Sequence, residues 1–192
     1  MLSLSSISNK TVGIAGCGGL GSNCAVALAR IGIGKLIIAD FDVVSISNLN
    51  RQYYFLDQVG LNKVDALMDN IYRINRNVIV EKHCIKLTPA NVTEIFSDCE
   101  VIVEAFDLSE MKKMIIETVL SLMPDKYIVA GSGMAGWGDN NSIKTLNFDK
   151  LYICGDLTSE ISENLPPLAP RVGIVANMQA NQVLEILMSK NL

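Results

Sequence analysis

The chain has 192 residues, 49% of them hydrophobic and 19% charged, a composition that excludes intrinsic disorder and predicts one buried core. This length predicts a single domain over residues 1–192. Sixteen Lys plus Arg against twenty Asp plus Glu leave a net charge of −4, which excludes a basic field for nucleic acid or an anionic membrane.

Short apolar runs alternate with segments of helical period up to about residue 131, which is typical of an α/β fold with a mainly parallel sheet. Five of these runs predict strands of one sheet: Thr11–Ala15, Lys35–Asp40, Val78–His83, Val101–Ala105 and Tyr127–Gly131. Helices are predicted at Ser22–Ile31, Val64–Ile71 and Met111–Thr118. We therefore expect a Rossmann-like, doubly wound architecture whose ligand site lies at the carboxyl ends of the strands.

The pattern changes after residue 131. The glycine-rich segment 131–138 cannot hold regular structure, and the runs Ser142–Asn147 and Leu151–Cys154 then predict an added C-terminal hairpin. A polar crossing, residues 156–167, leads to a closing helix predicted over Val172–Met188.

The cysteine pattern predicts free thiols and no zinc. The chain has five scattered cysteines, Cys17, Cys24, Cys84, Cys99 and Cys154, and they contain no C-x-x-C pair. The one histidine is His83, so the ligands of a zinc site are missing. We expect Cys17, Cys24, Cys84 and Cys99 to act as small core residues in a reducing compartment, and the sequence leaves Cys154 open. The sequence also shows neither a signal peptide nor the ~20 apolar residues of a membrane span, so we expect a soluble, cytoplasmic protein.

A G-x-G-x-x-G motif follows the first predicted strand and opens a helix: Gly16-Cys17-Gly18-Gly19-Leu20-Gly21. Glycines allow the backbone to approach a ligand closely, so free amides at the helix N-terminus can face phosphate. Asp40 ends the next strand, where a carboxylate can accept the hydroxyls of an adenosine ribose. The motif leaves NAD, FAD and ATP open, and the alternative is that the glycines only permit close packing while Asp40 caps a loop.

Two cations and an acid are predicted at the same edge of the sheet. Arg51 lies in a polar excursion over residues 40–52, and Lys63 stands at a helix start, where the helix dipole disfavours a cation unless an anion is near. Asp107 follows the fourth strand, which should neighbour the first strand at the topological switch point. There it is a candidate Mg²⁺ ligand, or alternatively part of the cap of the next helix.

These motifs resemble the ThiF/MoeB family of ubiquitin-activating-enzyme-like adenylyltransferases over nearly the whole chain. The resemblance is carried by G-C-G-G-L-G-S, D-F-D-V-V-S-I-S-N-L-N-R-Q, G-L-N-K-V-D-A and Asp107. It implies ATP-dependent adenylylation of the C-terminal glycine of a small ubiquitin-like sulfur carrier protein. Segments 130–136 and 168–172 are more similar to the short ThiF-like proteins of thiamine thiazole synthesis, which implies a ThiS-like partner with a Gly-Gly tail.

The resemblance also implies roles for individual residues. Asp40 would hold the ribose, Asn48, Arg51 and Lys63 would contact phosphates, and Asp107 would position Mg²⁺. Arg51, Lys63 and Asp107 are therefore the candidate catalytic residues. The candidate nucleotide-binding set is Gly16, Gly18, Gly19, Gly21, Asp40, Asp42, Asn48, Arg51, Gln52 and Lys63.

The chain departs from the family pattern at three points. Cys154 lacks the partners of the family's zinc cysteines, and the crossing carries Ser159-Glu160-Ile161-Ser162 where sulfur-transferring relatives have a thiol. No Arg-containing leader precedes the first strand, so Arg171 is expected either to substitute in part or to satisfy a helix-start loop. The resemblance further implies a homodimer. A noncatalytic scaffold and an NAD-dependent oxidoreductase remain alternatives.

Overall fold

The computed structural model describes residues 7–189, which contain one seven-stranded sheet. Its strands, β1 to β7, are Thr11–Ala15, Lys35–Ala39, Ile79–His83, Val101–Glu104, Tyr127–Gly131, Lys144–Phe148 and Leu151–Gly155. The helices, α1 to α5, are Gly19–Arg30, Lys63–Ile74, Pro89–Ile95, Ser109–Leu122 and Ala169–Ser189. The strand order is β3-β2-β1-β4-β5-β7-β6, and only β6 runs antiparallel to its neighbour. The predicted α/β, doubly wound fold is thus confirmed.

Both faces of the sheet are covered because its central strands are apolar on both sides. Successive side chains point to opposite faces: Leu36 and Val103 pack toward α1, α2 and α5, whereas Ile37 and Ile102 pack toward α3 and α4. Strands β1 and β4 are neighbours, as predicted, and the chain leaves them in opposite directions. Their carboxyl ends therefore form the crevice where ligands of such sheets bind.

Several predicted element ends were wrong by one to three residues. Helix α1 begins at Gly19, not Ser22, because the glycine loop itself supplies the first turn. Helix α5 begins at Ala169, not Val172, since proline is tolerated in the first turn. A 3₁₀ turn at Asn140–Ser142 delays the start of β6 to Lys144. Helix α3 was not predicted, although Thr88 before Pro89 is a helix-start signal.

The C-terminal hairpin is confirmed. Phe148 pairs with Leu151, so Asp149 and Lys150 form the connection, and Asp149 adopts a φ of 57°. Strand β7 pairs with β5 and extends the sheet beyond the switch point. Across residues 7–189, no helix is both long and apolar enough to cross a membrane.

Candidate functional site

The glycine loop is shaped by two glycines that no other residue could replace without a clash. Gly16 has a φ of +94°, and a Cβ there would lie 2.9 Å from the Ala105 carbonyl oxygen. A Cβ at Gly21 would lie 1.8 Å from the Gly16 carbonyl oxygen. At Gly18, the N-cap of α1, the nearest atom to a Cβ would be Gln52 Nε2 at 3.8 Å. The loop is therefore tight at its base and open in front of the helix N-terminus.

Asp40, directly after β2, binds the glycine loop. Its Oδ2 accepts a hydrogen bond from the Cys17 amide at 2.6 Å, and its Oδ1 accepts one from the Asp42 amide at 2.8 Å. A carboxylate offers about four acceptor sites, so these two bonds leave capacity for a ligand's hydroxyl groups. Asp40 thus stabilises the glycine loop through hydrogen bonds, and this role is compatible with the predicted ribose contact.

Lys63 is the first residue of α2 and carries a buried ammonium group. Its side chain is 7% exposed, and Nζ donates to Asp42 Oδ2 at 2.7 Å. Asp42, half exposed, offsets the repulsion between this ammonium and the positive end of the helix dipole. The sequence predicted that both residues lie at one edge but did not predict that they form an ion pair.

The segment that carries Asn48, Arg51 and Gln52 is fastened to the start of α1. Asn23 Nδ2 donates to the Arg51 carbonyl at 3.0 Å, and the Tyr53 amide donates to Ser22 Oγ at 2.9 Å. A Cβ at Gly19 would lie 3.6 Å from Arg51 Cγ, so the arginine stem borders the glycine loop.

Side chains in this segment differ in how far they are engaged. Asn48 Oδ1 accepts from the Ser45 amide at 3.0 Å and shapes the turn. The Arg51 guanidinium donates to the Ser47 carbonyl at 3.1 Å and to Asn50 Oδ1 at 2.7 Å. Gln52 Oε1 is buried and, within residues 7–189, has no hydrogen-bond partner. An orphaned acceptor of this kind indicates a place for a donor that the described residues do not supply.

Asp107 lies on the other side of the glycine loop. It follows β4 and is exposed, and its neighbour Phe106 would come within 3.3 Å of a Cβ at Gly16. The N-cap of α4 is Leu108 and no side chain caps that helix, so the alternative that Asp107 caps it is wrong. Among the described residues the carboxylate has no ion pair or hydrogen bond.

An ion pair between a buried acid and a partly exposed lysine, which the sequence did not predict, holds the Asp107 segment. Glu104 is fully buried, its Oε1 accepts from the Phe106 amide at 2.7 Å, and Lys112 Nζ lies 3.0 Å away. Lys112 also donates to the Gly131 carbonyl at 2.8 Å. Burial raises the pKa of Glu104, against the opposing effect of Lys112. The signal in the sequence was a single acid inside the apolar run Val101–Phe106.

Arg171 performs a structural task in α5. Its guanidinium is buried, pairs with Asp156 Oδ2 at 2.5 Å, and donates to the Gly138 carbonyl and to Ser142 Oγ. These bonds join the helix to the segment before β6 and to the crossing. The structural alternative for Arg171 is therefore confirmed, and its use as a phosphate-binding substitute is not supported.

The cysteines are all free thiols. Cys17, Cys24 and Cys99 are buried, as expected, and Cys154, for which the sequence made no prediction, is buried as well. Cys84 is exposed, so the expectation that it packs in the core was wrong. Cys154 Sγ lies 3.5 Å from Thr145 Oγ1. The absence of zinc stays a prediction, which metal analysis of the purified protein will test.

A doubly wound sheet with a glycine loop at its switch point, flanked by a buried lysine and an exposed aspartate, defines a class of ligand-binding α/β domains. Residues 2–192 match the ThiF family, and the chain belongs to that family.

Curated relatives are longer than this chain. An adenylyltransferase and sulfurtransferase, MOCS3 of Caenorhabditis briggsae, is 33% identical over 189 residues, 94% of this chain and 46% of the relative. The ubiquitin-like modifier-activating enzyme 5 of the same organism is 43% identical over 90 residues, 47% of this chain and 21% of the relative. The chain thus spans less than half the length of these relatives.

The fold is similar to that of solved structures. The E. coli tRNA N6-threonylcarbamoyladenosine dehydratase TcdA, solved in complex with ATP, superposes with a TM-score of 0.84 at 23% identity. The superposition covers 98% of this chain and 89% of TcdA.

Proposed function

We propose that this chain is an adenylyltransferase that activates the C-terminal glycine of a ubiquitin-like sulfur carrier protein with ATP and releases pyrophosphate. The observation that carries the proposal is the buried Lys63 ammonium at the same sheet edge as the open glycine loop and the exposed Asp107. The helix dipole disfavours a cation at a helix N-terminus, and Asp42, which pairs with this one, is half exposed, so the ammonium suits a polyanionic ligand.

The residues at this edge fit ATP. The open space at Gly18 suits phosphates at the N-terminus of α1, and the Gln52 Nε2 donor lies beside it. We propose that Asp40 accepts from the ribose, and that Asn48, Arg51 and Lys63 contact phosphates. Asp42 would orient Lys63 through their ion pair.

Asp107 fits a Mg²⁺ site completed by the nucleotide. Within residues 7–189, no group of three or more His, Cys, Asp or Glu could hold a metal by itself. Mg²⁺ commonly takes one or two carboxylates together with phosphate oxygens, so one exposed carboxylate facing the triphosphate suffices. When bound, the ion would neutralise charge on the phosphates.

The chemistry requires no general base from the protein. The carrier's terminal carboxylate is already ionised at neutral pH, so its oxygen can form the bond to the α-phosphorus directly. The bond from that phosphorus to the bridging oxygen breaks, and pyrophosphate leaves with the electron pair. Lys63 and Arg51 would stabilise the charge that accumulates on the departing group, and the glycine-loop amides would hold the phosphates in line.

Two neighbouring segments are the candidates to receive the carrier tail. Segments 131–138 and 156–167 are joined, since the Gly136 amide donates to the Pro166 carbonyl at 2.9 Å and the Ala135 amide donates to Ser159 Oγ at 3.1 Å. Trp137 is 70% exposed on the first segment. We propose that these segments and Met134 receive the extended Gly-Gly tail of a ThiS-like carrier in thiamine thiazole synthesis, in the reducing cytoplasm that suits free thiols.

We also propose a homodimer, which the family resemblance implies. Seven exposed apolar side chains fall within residues 41–61, the segment that carries Asn48 and Arg51, and are here called the loop surface: Phe41, Val43, Ile46, Phe55, Leu56, Val59 and Leu61. Clusters of this kind on soluble domains usually mark interfaces.

ATP–pyrophosphate exchange tests the proposal. Exchange is measured with Mg²⁺ alone, with a ThiS-like carrier ending in Gly-Gly, and with the same carrier lacking its last glycine. We expect exchange only with the intact tail. If the chain binds both ATP and the carrier without exchange, the adenylyltransferase proposal is overturned in favour of a scaffold. Reduction of NAD⁺ with a hydroxy-acid substrate would instead indicate an oxidoreductase.

A further inference from the structure

Tyr54 lies beneath the glycine loop, and no motif singled it out. Its side chain is buried, with 5% of its surface exposed. The hydroxyl donates to the Cys17 carbonyl oxygen at 2.7 Å, and the Lys63 carbonyl oxygen lies 3.3 Å away as a second acceptor within reach. Burial raises the pKa of Tyr54, so the phenol stays protonated and remains a donor. One hydroxyl thus touches both the loop and the first residue of α2.

The hydrogen bond fixes the direction of an amide in the loop. The Cys17 carbonyl and the Gly18 N–H belong to one trans, planar peptide, so they point in opposite directions. The bond to Tyr54 holds the carbonyl toward the protein interior, which turns the Gly18 N–H away from Tyr54. The preceding peptide is held separately, because the Cys17 amide donates to Asp40 at 2.6 Å. Both peptides that flank the Cys17 Cα are therefore fixed.

Gly18 is the N-cap of α1, where amides lack helical partners and the dipole favours an anion. We propose that Tyr54 is a positioning residue whose hydroxyl locks the Cys17–Gly18 peptide so that the Gly18 N–H faces a nucleotide phosphate. This inference rests on the proposed use of ATP. Without the hydroxyl, the peptide can rotate and turn the Cys17 carbonyl oxygen toward the phosphate. The partly negative oxygen and the anionic phosphate then repel each other, and phosphate binding weakens.

Calorimetric binding of ATP, AMP and adenosine separates this role from simple packing. Tyr54→Phe keeps the ring and removes only the hydroxyl. We expect it to weaken ATP and AMP binding about 10-fold, the loss of one charge-assisted contact, and adenosine binding less than about 2-fold. Tyr53→Phe is the matched control, because the Tyr53 hydroxyl contacts Arg30 at 3.3 Å on the outer surface. It should bind all three ligands as the unsubstituted chain does.

The outcomes distinguish this inference from the proposed function. If the unsubstituted chain does not bind ATP, both are overturned. If it binds ATP and Tyr54→Phe binds ATP equally well, only the role of Tyr54 is overturned. If Tyr54→Phe loses affinity for adenosine and for ATP equally, Tyr54 has a merely structural role, and its role in phosphate binding is overturned. The Gly18 amide resonance of the unsubstituted chain gives a second test: it should shift with AMP but not with adenosine, and no shift with AMP would refute the assignment.

Discussion

Lys63 is the residue on which the proposed chemistry depends most. Lys63→Met keeps the length of the stem but removes the ammonium, so we expect ATP–pyrophosphate exchange to fall at least ~100-fold, as for loss of other transition-state charge contacts. The fold should persist: Asp42 is half exposed and stays solvated, and removal of a cation from the start of α2 favours the helix dipole. Exchange rates and urea unfolding measure the two effects separately.

Lys82→Met provides the matched control for Lys63. Lys82 forms a comparable ion pair with Asp65 at 2.5 Å, but both side chains are exposed on the surface. Its replacement should leave exchange unchanged, since exposed pairs contribute little. Full exchange in Lys63→Met would remove Lys63 from the mechanism.

Asp107→Asn tests the metal-binding proposal at the opposite side of the loop. The substitution keeps the size of the side chain and removes its charge. We expect the Mg²⁺ concentration for half-maximal exchange to rise at least ~10-fold, because Mg²⁺ prefers charged oxygen ligands. Asp125→Asn, an exposed substitution just before β5 and away from the carboxyl ends of the strands, should not change it. An unchanged Mg²⁺ requirement in Asp107→Asn would contradict the assignment.

At the scale of elements, the ion pair between Asp156 and Arg171 joins the crossing to α5. Both side chains are buried, so Arg171→Met should lower the free energy of unfolding at pH 7 by about 3 kcal/mol, because it leaves Asp156 without its cation. Lys113→Met is the control: the Lys113–Glu117 pair is exposed and should contribute less than about 0.5 kcal/mol. Urea unfolding of both variants at pH 7 measures the difference.

The same pair predicts a pH dependence. Burial acts to raise the pKa of Asp156, but the amides of Ser159 and Thr158 and the Arg171 guanidinium outweigh it, so the pKa lies well below its usual range. The unfolded chain, with an ordinary carboxyl pKa of about 3.9, then binds the proton more readily. The stabilisation is therefore complete above about pH 5 and is lost as the pH falls below about 4. Arg171→Met and the unsubstituted chain should differ less at pH 3 than at pH 7.

The strands and the β1–β4 neighbour relation could be predicted from the sequence, whereas the ends of elements and the partners of polar groups could not. Runs such as Val101–Glu104 are mostly apolar, which predicts buried strands of a parallel sheet, and the doubly wound topology then places β4 beside β1. The start of α1 depends on how the glycine loop turns, which no periodicity records. Tyr54 and Lys112 donate to carbonyl oxygens that are distant in sequence, so their hydrogen-bonding roles are visible only in the folded chain.

At the scale of the whole molecule, the loop surface predicts the assembly state. Ile46 and Leu56 are 72% and 77% exposed, and exposed apolar clusters often mark interfaces. Association of two chains through this surface would remove these side chains from water. We expect light scattering to give twice the monomer mass for the unsubstituted chain and the monomer mass for a variant with Ile46→Glu and Leu56→Glu. Two buried carboxylates per subunit would be costly at an apolar interface.

Leu122→Glu is the control for that variant, because Leu122 is similarly exposed, at 62%, but lies at the end of α4 outside the loop surface. It should keep the mass of the unsubstituted chain. A monomer in the unsubstituted chain at micromolar concentration would contradict the homodimer. A dimer that survives both glutamates would place the interface elsewhere, and the exposed apolar side chains of residues 41–61 would then need a different partner, for which the sulfur carrier is the first to test.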